Sequence, residues 1–147
     1  MVDIKSDLID ILPIENHRSL TNYEILLGKP IEPIKRLQIF FPDEFEEFVL
    51  EWIDGYLSKE YKIVRRSGGA GDKGRDVVAF FDEAGPEAQW NNYQCKHYDH
   101  SLSPSDIWIE LGKLCYYTYS QEFSISCSYY FVSPKGIGSK FIGHRLR

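Results

Sequence analysis

The sequence predicts an α/β domain, a mixed sheet flanked by helices, in the order helix, strand, strand, strand, helix, strand. Three observations carry this expectation. An apolar stripe at helical spacing follows Pro42, short β-branched and aromatic runs lie between Tyr61 and Tyr98, and a proline-opened helix then precedes a last strand-like run. With 147 residues, 43% of them hydrophobic and 15% aromatic, the chain suffices for one compact domain with its own core and is too short for two ordinary ones.

Residues 1–41 read as a lead-in. A short helix is expected around Asp7 to Leu12, stopped by Pro13, and another around Asn22 to Leu27, stopped by Gly28-Lys29-Pro30. Residues 42–147 make up the expected domain. Phe45, Phe48, Val49, Trp52, Ile53, Tyr56 and Leu57 recur at i, i+3, i+4, i+7, i+8, i+11 and i+12, the stripe of an amphipathic helix. Pro42 and the acids Asp43, Glu44, Glu46 and Glu47 suit its amino-terminal turns, where the helix dipole favours negative charge. Tyr61 to Val64, Asp76 to Phe81 and Trp90 to Tyr98 read as strands, with Asp82-Glu83-Ala84-Gly85-Pro86 as the turn between the second and third. Ser103 is the expected N-cap and Pro104 the first residue of a second helix, with Ile107, Leu111, Leu114, Cys115 and Thr118 on one face. Ile125 to Val132 reads as the last strand, ended by Ser133-Pro134-Lys135-Gly136.

Composition excludes several classes. The amino terminus carries acids among its apolar residues and lacks a basic n-region, which argues against a signal peptide, and no apolar run reaches the roughly 20 residues that span a bilayer. Cys95, Cys115 and Cys127 are odd in number and too far apart for a zinc knuckle, so they are expected as reduced core thiols in a cytoplasmic protein. A net charge of −5 does not suggest a broadly basic nucleic-acid surface. Locally the balance reverses: Lys62 to Asp76 holds Lys62, Arg65, Arg66, Lys73 and Arg75 against Asp72 and Asp76.

Gly69-Ala70-Gly71-Asp72-Lys73-Gly74 has the G-x-G-x-x-G spacing of a dinucleotide loop. That loop needs a helix after its glycines, to present backbone amides to the pyrophosphate, and here a strand follows. A tight turn that delivers Asp76 fits better. Along the next strand Gln94 and Lys96 share one face and Cys95 points to the other. If Asp76 lies on the first of these faces, a carboxylate, an amide and an ammonium converge. Such a group suits a hard divalent cation held by oxygen ligands, with a lysine beside the attacking water.

Asp76 followed by Gln94-x-Lys96 resembles the motif of the PD-(D/E)xK nuclease superfamily, in the Gln-x-Lys form of Mrr-type restriction endonucleases. Gly71-Asp72-Lys73-Gly74-Arg75-Asp76 and Tyr93-Gln94-Cys95-Lys96-His97-Tyr98 resemble the text around that motif, and the resemblance spans roughly Pro42 to Val132. It implies a restriction-endonuclease-like αβββαβ core and Mg²⁺- or Mn²⁺-dependent hydrolysis of DNA. Asp76 and Gln94 would bind the metal, with the Cys95 backbone carbonyl as a further ligand, and Lys96 would assist the water. Restriction or anti-phage defence is the implied setting. A module of the same fold that binds nucleic acid or protein without cutting it is the alternative. Similar domains continue past the fourth strand, so residues 42–147 read as a fragment cut short at the carboxyl end or as a stand-alone nuclease.

The family often adds a glutamate from a Phe-Glu pair on the first helix, which Phe45-Glu46 matches. At about 100° per residue, Glu46 lies beside Ile53 and Leu57, whereas Glu44, Glu47 and Glu51 face away. Glu46 thus borders the buried face and is expected to complete the acidic side of the site, a solvent-facing glutamate being the alternative. Gln94 is neutral where much of the superfamily has a carboxylate, which makes Glu46 matter more. Asp72 reads as a turn-capping residue or a second acid, and Lys73, Arg75 and Lys113 as contacts to DNA phosphates or solvated cations. His97 is expected in a structural or surface role, and Glu110, near the edge of its helix's apolar stripe, faces solvent or, as in similar families, stands beside the active site. Tyr116, Tyr117, Tyr119, Tyr129 and Tyr130 read as a base-stacking surface, as core or as an oligomer contact. Cutting both strands of a duplex needs two sites, so a homodimer or a larger defence complex is expected, with no membrane partner.

Overall fold

The computed structural model describes residues 21–28, 30–67, 73–82 and 88–141. The helix expected around Asp7 to Leu12, most of the glycine turn including Asp72, the turn residues Glu83 to Pro86 and the carboxyl end lie outside them. The chain divides into two compact units, Met1–Ile31 and Glu32–Arg147. In the first, helix α1 spans Asn22–Leu27, as the Gly28-Lys29-Pro30 stop implies.

The second unit begins with α2 (Pro33–Gln38) and α3 (Pro42–Tyr56). Leu37 and Phe40 pack on the main core, so this compact unit starts before Pro42. Pro42 opens α3 because its missing N–H costs nothing there, and the Glu44 carboxylate accepts the Phe41 N–H at 2.7 Å. Of the expected stripe, Phe45, Val49 and Ile53 are buried. Phe48 and Leu57 pack on its margin, whereas Trp52 and Tyr56 stay exposed and stack on one another, 5.9 Å between ring centroids.

The sheet comprises β1 (Ile63–Arg66), β2 (Val77–Phe80), β3 (Trp90–Cys95) and β4 (Ser128–Val132), in that spatial order. β1, β2 and β3 run antiparallel, and β4 lies parallel to β3. A parallel partner requires a crossover, and α4 (Pro104–Tyr119) supplies it. α4 opens as expected, with the Asp106 carboxylate accepting the Ser103 N–H at 2.7 Å and Pro104 in the first turn. The architecture is therefore α/β with a mixed four-stranded sheet.

Alternation divides the sheet into two faces. Val77, Ala79 and Tyr93 meet Phe45, Val49 and Ile53 in the core, joined by Val64, Cys95 and Val132. Each large buried side chain contributes about 1.5–3 kcal/mol, so the α3 face anchors the sheet. The other face carries polar residues at its centre, and there α4 differs from expectation. Its buried residue is Glu110, while Cys115 is exposed. Cys127 is exposed too, and all three cysteines are free thiols. The expectation of core thiols therefore fails for these two, since Cys115 projects outward from α4 and Cys127 precedes the edge strand β4.

Candidate active site

Asp76 sits one residue before β2, beyond the Val77–Tyr93 pair, and so stands opposite Gln94. Its backbone carbonyl is held by the Ser67 N–H at 2.8 Å. Its carboxylate crosses to β3, where Oδ2 accepts the Gln94 Nε2 hydrogen at 2.7 Å and the Cys95 N–H at 2.7 Å. The acid thus replaces a ladder bond. Before it, Gly74 takes φ +78°, and an added Cβ would lie 3.1 Å from Lys113 Cβ, so the turn demands glycine. The Gly74 carbonyl accepts from the Tyr129 hydroxyl at 2.8 Å, which ties the turn to β4.

Asp76, Gln94 and Lys96 come together on the face away from α3, at 5%, 3% and 9% exposure. Beyond β3, the Lys96 N–H still reaches the Val132 carbonyl at 2.8 Å, which keeps the lysine in line with Gln94. Its ammonium donates to Glu110 Oε1 at 2.7 Å, and Lys113 Nζ approaches Glu110 Oε2 at 3.1 Å. Burial opposes the Lys96 charge, but the Glu110 hydrogen bond and charge outweigh it and raise the lysine's pKa. Burial likewise opposes the Glu110 carboxylate, which Lys96 and Lys113 hold below the usual range. Lys96 is therefore a fixed ammonium, a donor rather than a proton acceptor. Of the two readings of Glu110, the solvent-facing one fails: it is buried and is the α4 residue that completes this pair. Its position between Ile107 and Leu114, at i+3 and then i+4, lies on the helix's inward stripe and marks it in retrospect.

Glu46 is half-buried, as its place on the helix implies, and its partner is Arg66 on β1. Arg66 Nη2 lies 2.8 Å from Glu46 Oε2, with Asp43 and Glu47 at 3.4 and 3.5 Å. Burial works against the Arg66 charge, and the Glu46 pairing more than offsets it. Cys95 feels both acids: burial first, then the charges of Asp76 and Glu46, push its thiol well up, which rules out a reactive thiolate. His97 is structural, its Nε2 2.7 Å from the Leu37 carbonyl and its ring 5.2 Å from Phe45.

The expected phosphate contacts all have partners within the chain. Lys73 pairs with Glu122, Lys113 with Glu110, and the Arg75 guanidinium lies 4.2 Å from the Phe123 ring. Arg75 also lines two open pockets of about 190 Å³ each, which share Val78 and Phe80. One extends to Arg65, Arg66 and Ser67, and the other to Trp90, Phe123 and Ser124. The arginines at the second pocket, Arg65, Arg66 and Arg75, all belong to the Lys62 to Asp76 stretch whose local positive charge the sequence shows, and pairing of β1 with β2 gathers them. Of the tyrosines, Tyr116 and Tyr119 are exposed, Tyr130 stacks on Tyr93 at 4.8 Å, and Tyr129 reaches the Gln94 amide oxygen at 3.0 Å.

Among the described residues no group of three or more His, Cys, Asp and Glu side chains converges to hold a metal. The smaller set of Asp76 and Gln94 still suits Mg²⁺, which takes one or two protein ligands and keeps waters and substrate phosphates for the rest. In the arrangement present, Gln94 offers Asp76 its amide nitrogen. A side-chain amide presents oxygen from nearly the same volume by turning over, so the donor chemistry fits once that exchange is made. No protein-family model, no curated protein and no solved structure matches the chain.

Proposed function

We propose that the protein is a Mg²⁺- or Mn²⁺-dependent endonuclease that hydrolyses phosphodiester bonds of DNA. The supporting observation is that Asp76 and Gln94 meet on the sheet face that also holds Lys96, with Lys96 kept as an ammonium by Glu110. The resemblance of these residues to the Mrr-type motif supplies the substrate class and the setting, restriction or anti-phage defence. Bound at Asp76 and Gln94, the cation supplies a Lewis acid and a more acidic water. The chain's own residues do the rest. The Cys95 N–H holds Asp76 in place, Lys96 orients the attacking water and stabilises charge on the phosphorane-like transition state, and Glu110 positions Lys96. Arg65, Ser67 and Arg75 line a path for backbone phosphates beside the site. Cleavage of both strands calls for two copies, as a homodimer or within a larger defence complex.

Digestion of plasmid, linear duplex and single-stranded DNA and of RNA tests the reading. Mg²⁺-dependent cutting is expected, with Asp76→Ala and Lys96→Ala lowering the rate at least about a hundredfold, the scale of losing a transition-state donor. Full activity of either variant, or equal nicking in excess EDTA, would overturn it. Glu46→Ala, run alongside, shows whether Glu46 leaves Arg66 to join the site. A second reading rests on the pairing of Lys96 with Glu110 and of Glu46 with Arg66: a module that binds nucleic acid or protein without cutting. Binding with no cleavage across several metals and nucleic-acid forms would favour it.

A further inference from the structure

The Tyr129 hydroxyl stands between two acceptors, 2.8 Å from the Gly74 carbonyl oxygen and 3.0 Å from Gln94 Oε1. A phenol has one proton, so it serves one of these fully. Asn92 Nδ2 also reaches the Gly74 carbonyl, at 3.4 Å. On its other side Gln94 donates Nε2 to Asp76 at 2.7 Å. Both Gln94 and Asp76 are buried, so each unsatisfied polar atom there carries a cost.

Turning the amide over changes this balance. Nε2 would then donate to the Tyr129 oxygen, and the Tyr129 proton would be released to Gly74. Every polar atom around Tyr129 named above would be served. The amide oxygen, however, would take the place of the nitrogen now 2.7 Å from Asp76 Oδ2. Two such oxygens repel unless a cation stands with them. The pair therefore has two self-consistent arrangements, and a divalent cation discriminates between them.

We propose that Tyr129 is a positioning residue for metal binding, holding the Gln94 amide turned over so that its oxygen faces the cation beside Asp76. Without a cation the Gln94 amide bonds to Asp76 and closes the site on itself. With one, Tyr129 accepts the amide hydrogen and Gly74 accepts the Tyr129 proton. The inference rests on the metal-site reading of the previous section, and the test separates the two.

Mn²⁺ affinity is measured by calorimetry on the full chain, without substrate, for four proteins: the native chain, Tyr129→Phe, Gln94→Glu and the double variant, with thermal melts confirming folding. Tyr129→Phe is expected to weaken Mn²⁺ roughly three- to tenfold in the native background, the worth of one hydrogen bond. In the Gln94→Glu background both terminal atoms are oxygen and no orientation needs choosing, so the same change should cost less than about twofold, a difference that a double-mutant cycle isolates. Equal weakening in both backgrounds, or none in either, overturns the positioning role while leaving the metal site standing. Absence of Mn²⁺ binding to the native chain, or unchanged binding in Asp76→Ala, overturns the metal-site reading itself. A measurement without mutation stands beside these. With ¹⁵N-labelled glutamine, saturating Mg²⁺ should bring the Gln94 side-chain amide protons into contact with the Tyr129 ring edge in nuclear Overhauser spectra, and an unchanged pattern with Mg²⁺ bound counts against the proposal.

Discussion

Lys96 and Glu110 show how a buried pair can be both an expense and a requirement. Neither would be tolerated alone at this depth, and removal of one partner from a buried pair costs roughly 3–5 kcal/mol because the other charge is left behind. Glu110→Gln should therefore destabilise the chain by about 3 kcal/mol in denaturant titration, and pairing it with Lys96→Met should recover most of that loss. The pH dependence follows from the directions of the shifts. Glu110 is depressed below its ordinary 4.5, so its contribution is present above pH 4.5 and is lost as acid carries the pH down through the folded value. Lys96 is raised above its ordinary 10.5, so its contribution is complete below pH 10.5 and is lost as pH rises through the folded value. Stability from the pair should hold between these limits and fall outside them, with Glu110→Gln flattening the acid limb in melts against pH. The placing of Gln94 and Lys96 on one face was legible from strand alternation alone, and the pairing of Asp76 with Gln94 from the hairpin order of their strands. The sequence did not decide between the two readings of Glu110 or disclose the role of Tyr129, both of which depend on how α4 and β4 are laid across that face, nor did it disclose Arg66 as the partner of Glu46.

At the scale of elements, local signals and tertiary context divide the account. α3 was legible from its proline start and its stripe, and α4 from Ser103-Pro104, since caps and helical periodicity are local. Strand limits were less so. β1 was expected at Tyr61 to Val64 and runs Ile63–Arg66, because Arg65 and Arg66 look unlike strand residues until Arg66 is given Glu46 and Val77 as partners. β3 ends at Cys95 rather than Tyr98, since aromatic composition continues past the hydrogen-bonded ladder, and β4 begins at Ser128 rather than Ile125, since Ile125 and Cys127 look like strand residues but precede the ladder. Two glycines make a matched test of what the elements require. Gly74→Ala should destabilise by roughly 1–2 kcal/mol, since φ is +78° and Lys113 Cβ stands 3.1 Å from the new methyl group. Gly112→Ala in α4 meets nothing within 4 Å and should stabilise by roughly 0.5–1 kcal/mol. Melting temperatures that move in the same direction would contradict this account of the turn.

For the whole molecule, an acidic total charge coexists with the arginines of the Lys62 to Asp76 stretch, of which Arg65 and Arg75 line one pocket on β1 and β2 while Arg66 is paired with Glu46. No helix among the described residues is long and apolar enough to cross a membrane. The mixed topology also orders the assembly of the site in time. Asp76 to Gln94 spans 18 residues and Lys96 to Glu110 spans 14, whereas Gly74 to Tyr129 spans 55. Loop closure is costlier for the last, and parallel pairing is reached through a crossover rather than a hairpin. We expect Tyr129→Phe to accelerate unfolding in stopped-flow mixing while leaving the folding rate within about twofold, the pattern of a contact made after the transition state, and a slowed folding limb would place β4 earlier. On that expectation the parallel strand is a kinetic latch: acid, amide and lysine come together before Tyr129 docks, and the proposed site is complete only when the fold closes.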